Sequence, residues 1–342
     1  MTNILSDQIR RHPITAFFIL AFGISWIIWA IPTPAAVKNP TYVMLVGVIG
    51  AFGPAAAAIA LSGFLRPEPT GRSPLKRWGI CAILFCVILP FAVYWPGLKG
   101  NPADPAFLLL CAVLSFLSAF VISSLFAGRS GVQNLMASFG RWRVHPVWFA
   151  IALFAWPVLV MASSVLDLLI SGQPLSSYAA GLLAIEPLSA LILFATIFLL
   201  GGPLQEEPGW RGFALPRLQI LYNPIVASII LGFLWQVWHI PLYFTGFYAF
   251  DTTAIILRLV DFIPGVLVVT WIYNRSGGNL LIAVLFHASM DSFSQILPAQ
   301  TGWAPRIFDL LLLAWAVIVI FTDRMWEKRS VPPDDLPGTH GG

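Results

Sequence analysis

Charge is what this chain holds least of. Its 19 Lys and Arg and 15 Asp and Glu make up 10% of 342 residues, against roughly 25% in a soluble globular domain. With 58% hydrophobic residues and a mean hydropathy of +0.83, this excludes an ordinary water-soluble domain and predicts a polytopic membrane protein. Cysteine is scarce too. Cys81, Cys86 and Cys111 all fall in apolar stretches, where they read as small buried hydrophobes, so neither a disulfide framework nor a cysteine metal site is expected. Also missing are a Gly-rich phosphate loop, the alternating strands of a membrane barrel, a His-Glu-x-x-His zinc signature and any repeat with a period of roughly 20 to 50 residues. The net charge of +4 needs no nucleic-acid partner, because loop bases facing anionic lipid account for it.

What the chain does have is a series of apolar runs near the ~20 residues that cross a bilayer. They extend from Thr15 to Pro32, Tyr42 to Leu65, Trp78 to Trp95, Ala106 to Phe126, Val147 to Ile170, Pro187 to Leu200, Ile225 to Phe244, Ala254 to Tyr273, Leu280 to Leu297 and Ile307 to Phe321. Unpaired backbone groups are too costly in hydrocarbon for anything but helices or closed barrels. The expected fold is therefore all-α, a polytopic integral membrane bundle of about eight to ten helices. Of the 19 bases, only Lys38, Lys99 and Arg306 fall on the outer side of this topology and Arg258 within a span. The asymmetry predicts both termini in the cytoplasm, in a multi-pass plasma membrane protein of bacterial type. The first run, preceded by Arg10 and Arg11 and followed by Pro34-Ala35-Ala36, reads as a retained signal anchor. Gly47, Gly50 and Gly53, followed by Pro54 and four alanines, offer a smooth face for a packed helix. The connection from Gly128 to His145 is expected along the inner surface. The expected organisation is 1–182 as motif-free membrane helices, 183–300 as the chemical core, 301–330 as the last span and 331–342 as a disordered tail.

Chemistry concentrates at Gln205-Glu206-Glu207-Pro208-Gly209-Trp210-Arg211, two carboxylates and a guanidinium set among apolar segments, where ionisable groups mark function. Pro208 predicts a helix restarting there with the glutamates at its N-terminal end. At a spacing of four, Glu207 and Arg211 share a helix face, which frees Glu206 to take a proton or bind a metal. His239 lies deep in its run just before Pro241, and His287 and Asp291 are again four apart on one face, suited to an oriented imidazole or to two ligands of one ion. Arg258 and Asp261, three apart, are expected to neutralise each other, the functional alternative being that Arg258 meets a substrate carboxylate. Asp167 and Glu186 fall near the outer interface, where carboxylates reach water, and are not site candidates. Gly128-Arg129-Ser130-Gly131 has the letters of a Gly-x-Ser-Gly serine motif but sits in a basic loop with no neighbouring histidine.

Glu206, Glu207 and Arg211, then Trp235 and His239, then His287 and Asp291, in that order on successive membrane helices, resemble the CPBP family of intramembrane proteases, which includes CAAX proteases of the Rce1 type and bacteriocin-processing enzymes. The resemblance covers roughly Pro187 to Leu297. It implies an endopeptidase acting on membrane-anchored peptides or proteins, with Glu206, His239, His287 and Asp291 catalytic and Glu207, Arg211 and Trp235 in support. Two departures stand out: Trp235 replaces a more usual Phe, and Asp291 stands where the eukaryotic CAAX proteases have Asn, which puts an oxyanion-donor role there in doubt. Two mechanisms suit these residues. In one, Glu206 and His239 activate a water and His287 stabilises the oxyanion without metal. In the other, His239, His287, Glu206 and Asp291 supply ligands for zinc. Readings from other classes are a transporter using a buried Glu/His cluster and a non-catalytic membrane binding protein. Hydropathy also places Glu206 at the membrane edge and His239 about 21 Å deeper at 1.5 Å per residue. A shared site therefore requires the acid pair to dip inward and the helix bearing His239 to begin near Leu218.

Overall fold

The computed structural model describes residues 4–31, 40–94, 102–141 and 143–328. Among the described residues the secondary structure is helical apart from one isolated bridge, Pro69 with Arg129. Seven helices among the described residues are long and apolar enough to cross a membrane, or up to nine if two bent pairs each count as one span. Those pairs are Ile4–Arg11 with Pro13–Trp29, bent by 105°, and Leu175–Leu183 with Pro187–Leu200, bent by 75°. Leu280–Ile296, the helix of His287, is shorter at 17 residues. The protein is thus a multi-pass helical membrane protein. The tail 331–342, Pro34 to Ala36, and the bases Lys38, Lys99 and Arg329 lie outside the described residues.

Helix starts follow local chemistry. Asp104, Asn223 and Asn279 each accept a hydrogen bond from a backbone N–H two or three residues on, at 2.9, 3.0 and 3.2 Å, and so satisfy donors that the first turn leaves open. Asn223 with Pro224 begins the helix Pro224–Trp238, later than the start near Leu218 expected from the sequence. Leu218 belongs to a separate short helix, Leu215–Leu221. Pro208 does not open a helix either. Helical geometry already begins at Pro203, runs to Gly209 and passes into a wider π turn over Trp210–Ala214, so Pro208, which has no backbone N–H to donate, lies inside the helix just ahead of that change of pitch.

The glycine-rich face does what its composition suggests. Ser25 Oγ donates to the Gly50 carbonyl at 2.7 Å and Trp29 Nε1 to the Gly47 carbonyl at 3.0 Å; a Cβ at Gly50 would run into the Trp29 indole and one at Gly53 into Ser25 Oγ, so these close approaches need glycine. Gly53–Leu65 packs in turn on Pro203–Gly209. Phe17 meets Trp210 edge-on at 5.6 Å and stacks on Phe213 at 5.2 Å, while Trp29 meets Trp238 at 4.7 Å. The motif-free first half therefore shares one hydrophobic core with the acid-bearing segment. The connection after Gly128 folds under this core as the short helix Ser130–Ala137, burying Val132, Leu135 and Met136. Ser130 Oγ donates to Glu68 at 2.7 Å, a loop contact and not a nucleophile's setting.

Two smaller expectations are corrected. Cys86 is exposed on the outer face of its helix, unlike buried Cys81 and Cys111. Asp167 is buried, where it accepts from the Trp303 amide at 3.0 Å and so holds the turn before the last span, Ala304–Thr322.

A methyl group at Gly209 would lie 2.6 Å from both the carbonyl oxygen and the Cβ of Pro54, backbone and ring atoms that have no flexible end to yield. Gly209→Ala is expected to destabilise the fold by about 1–3 kcal/mol, read as a lower unfolding midpoint in detergent. Gly79→Ala, where the added methyl meets nothing within 4 Å, should leave the midpoint unchanged or raise it.

Candidate active site

The turn that delivers the acid pair is built from Gly201 and Gly202 after the helix Pro187–Leu200. Gly202 has φ +126°, a conformation open to glycine alone, and a Cβ there would stand 2.9 Å from Glu206 Oε1. Gln205 fastens the turn. Its side-chain oxygen accepts from the Gly202 amide at 3.1 Å, and its Nε2 donates to the Leu199 carbonyl at 2.7 Å and to Ser118 Oγ at 3.0 Å. The chain thereby folds back into the bundle, and both glutamates are buried.

One helical step separates their surroundings. Glu206 Oε2 accepts from Trp235 Nε1 at 2.8 Å and Trp210 Nε1 at 3.3 Å. Glu207 Oε1 accepts from Arg211 Nη1 at 2.8 Å and meets His287 Nδ1 at 2.8 Å. The Glu207–Arg211 pairing is the one the spacing predicts. The Glu207–His287 contact joins residues 80 apart in sequence, and no spacing rule reaches that far.

His239 caps the end of Pro224–Trp238. Its backbone amide bonds to the Gln236 carbonyl at 3.1 Å, which leaves the Trp235 carbonyl to the imidazole, with Nδ1 at 2.7 Å. A carbonyl oxygen can only accept, so Nδ1 carries the proton and the neutral ring keeps a lone pair on Nε2. The following helix, Ile240–Thr245, ends at Gly246 with φ +82°, which turns the chain back so that Tyr248 faces His239 at 6.3 Å. Trp235 stands between the two imidazoles, 5.5 Å from His239 and 5.4 Å from His287, with the Arg211 guanidinium 5.1 Å over its ring. His287 Nε2 lies 3.4 Å from Asp291 Oδ2, so a carboxylate faces each nitrogen of that ring.

Glu206, His239, His287 and Asp291 all line one cavity of about 340 Å³, together with Trp235, Gln236, Tyr248 and Arg258. In place of the expected pairing with Asp261, Arg258 donates from Nε to Gln236 Oε1 at 2.6 Å and lies 5.0 Å over the Tyr248 ring. Asp261 lines the same cavity and lies about 60° round the helix from Arg258 at a spacing of three, yet it is exposed and among the described residues the two form no ion pair. Among the described residues no three His, Cys, Asp or Glu side chains converge as a zinc site requires. Both nitrogens of His287 are already engaged, and the donor set in this arrangement does not fit the ion.

Sequence reasoning singled out these four cavity residues and placed Trp235 in support without a stated contact. Its N–H to Glu206 crosses between helices. Gln236 and Tyr248 went unnoticed. An amide one position from Trp235, within an otherwise apolar run, was the signal available for the first of them.

Residues 188–293 match the family described as type II CAAX prenyl endopeptidase Rce1-like. A CAAX prenyl protease 2 from Methanococcus maripaludis is 22% identical over 236 residues, which cover 65% of this chain and 84% of that protein. All seven motif residues, Glu206 to Asp291, fall within the matched segment.

Removing Arg211 would leave the buried Glu207 carboxylate without its guanidinium. Arg211→Ala is expected to destabilise the protein by about 3–5 kcal/mol, which thermal unfolding in detergent would register. Trp235→Phe, which deletes one N–H donor and keeps the ring, should lower the midpoint far less.

Proposed function

Because the chain belongs to the Rce1-like family of CAAX endopeptidases, we propose that it is a glutamate-dependent intramembrane endopeptidase that cleaves membrane-anchored peptides. The similarity to a CAAX prenyl protease favours substrates ending in a prenylated Cys-a-a-X sequence. The observation that carries the reading is the state of Glu206. Two indole N–H groups occupy its Oε2, while the residue faces a cavity shared with the unprotonated nitrogen of His239. The loop-base asymmetry supports both termini on the cytoplasmic side.

In this mechanism Glu206 accepts a proton from a water at Oε1, the oxygen free of indole donors. His239 Nε2 accepts the water's second hydrogen bond and aims its oxygen. The nascent hydroxide adds to the scissile carbonyl, a C–O bond forms, and the carbonyl π pair moves onto oxygen. His287 Nε2–H, held only loosely at 3.4 Å from Asp291, donates to that oxyanion. Collapse breaks the C–N bond, and Glu206 returns its proton to the leaving amine. The Glu207 and Asp291 carboxylates, one against each ring nitrogen, orient His287, and Arg211 holds Glu207 in place. No step passes through a metal.

Glu206→Gln keeps the shape of the side chain and removes its basicity. Cleavage of a prenylated peptide by purified protein should be abolished while the unfolding midpoint stays near the parental value, and parental activity should persist in the presence of a strong zinc chelator. Cleavage by Glu206→Gln at the parental rate would remove Glu206 as the base, and loss of parental activity on chelation would restore the zinc reading.

Asp291→Asn keeps the volume and removes the charge facing His287. Activity is expected to fall about 10- to 100-fold, the usual toll for losing a carboxylate that orients a working histidine. Full activity in that variant would assign position 291 to the oxyanion instead.

A further inference from the structure

The proposed chemistry uses one end of the cavity and leaves its cation unassigned. Arg258 lines the same space as Glu206 and Asp291, yet no carboxylate comes within ion-pair distance of it among the described residues. Its Nε is tethered to the neutral Gln236 amide at 2.6 Å and its guanidinium lies against the Tyr248 ring. A guanidinium has five N–H donors in a planar fork; the tether takes Nε and the Tyr243 and Tyr248 side chains share further hydrogen bonds with it, so every partner it has is neutral and donors remain for an anion. Holding a cation inside an apolar bundle without an anion is costly, and nothing in the geometry of the Glu206, His239 and His287 cluster requires it.

The tether also sets where that charge sits. Gln236 belongs to the turn that ends in His239, and its backbone carbonyl holds the His239 amide at 3.1 Å. Arg258 is thus registered to the reacting centre through one rigid turn. We infer that Arg258 receives the chain-terminal carboxylate of the substrate, so that the enzyme selects bonds by their distance from a free C-terminus. This inference rests on the endopeptidase reading and supplies its specificity element. The cavity's carboxylates repel the terminal anion while Arg258 attracts it, which orients the peptide in one direction.

The test uses three versions of one prenylated peptide: a free acid, a C-terminal amide, and an amide with Glu as its final residue. The parental protein should cleave the acid with a kcat/KM about 10- to 100-fold above the plain amide, the range of a charge-assisted hydrogen bond, with the difference mainly in KM. Arg258→Gln should bring that ratio to about one, and Arg258→Lys should retain part of it. A parental ratio near one, or an unchanged ratio in Arg258→Gln, would overturn the inference. So would an equal loss on acid and amide, which places Arg258 at the reacting carbonyl. Equal cleavage of the Glu-ended amide and the acid would also overturn it, since any side-chain carboxylate would then serve. If no peptide is cleaved at all, the endopeptidase reading fails alone. Fluorescence anisotropy of the labelled peptides on the Glu206→Gln protein still decides the role of Arg258: tighter binding of the acid, lost on adding Arg258→Gln, supports it, and equal binding of acid and amide sinks it.

Discussion

A single carboxylate oxygen, Oε1 of Glu207, holds the site together. It takes Arg211 from its own segment and His287 from a helix 80 residues away, both at 2.8 Å. Burying three ionisable groups is unfavourable unless each finds its partner in good geometry, so the contact excludes arrangements in which the two segments slip past one another. Arg211, Glu207, His287 and Asp291 thus form a row in which each side chain meets the next, joining the acid-bearing segment to the helix of His287. The site's rigidity comes from electrostatic necessity as much as from packing.

Around that row, tryptophans do the work that water does in a soluble enzyme. Trp210 and Trp235 give Glu206 two donors while presenting apolar rings to the bundle, and Trp238 packs at 4.7 Å against His239. An indole has one donor and no acceptor, so it can satisfy a carboxylate without adding a further demand of its own. A membrane interior leaves few other residues able to do this at so small a cost in polarity.

The helical bundle and the pairs that would share a helix face were legible in the sequence, because hydropathy and the spacing of four are local properties. Glu207 with Arg211 and His287 with Asp291 could be paired from position alone. Its failures were tertiary. Hydropathy separated Glu206 from His239 by about 21 Å of depth, whereas the two line one cavity, since nothing in a window average reports that Gly202 adopts φ +126° and that Gln205 fastens the turn. Pro208 signalled a helix start by propensity, but the turn begun at Pro203 was already committed, and a π turn accommodated the proline. Arg258 and Asp261 seemed to answer each other in sequence, whereas the fold offered Arg258 the side chain of Gln236, on a different helix. Each miss is a place where a contact between helices overruled a preference within one.

The glycine notch at Gly47 extends this dependence to the half of the chain that bears no motif. A side chain at position 47 would collide with the Phe247 ring, 2.4 Å from where its Cβ would stand, and Phe247 adjoins Tyr248 at 5.2 Å on the cavity wall. This part of the cavity wall is therefore seated on a helix, Pro40–Ala51, that supplies none of the residues lining the cavity. Divergence among such proteins in what they admit can accumulate at these remote seats, where a change in bulk reshapes the chamber while every acid and imidazole stays as it was.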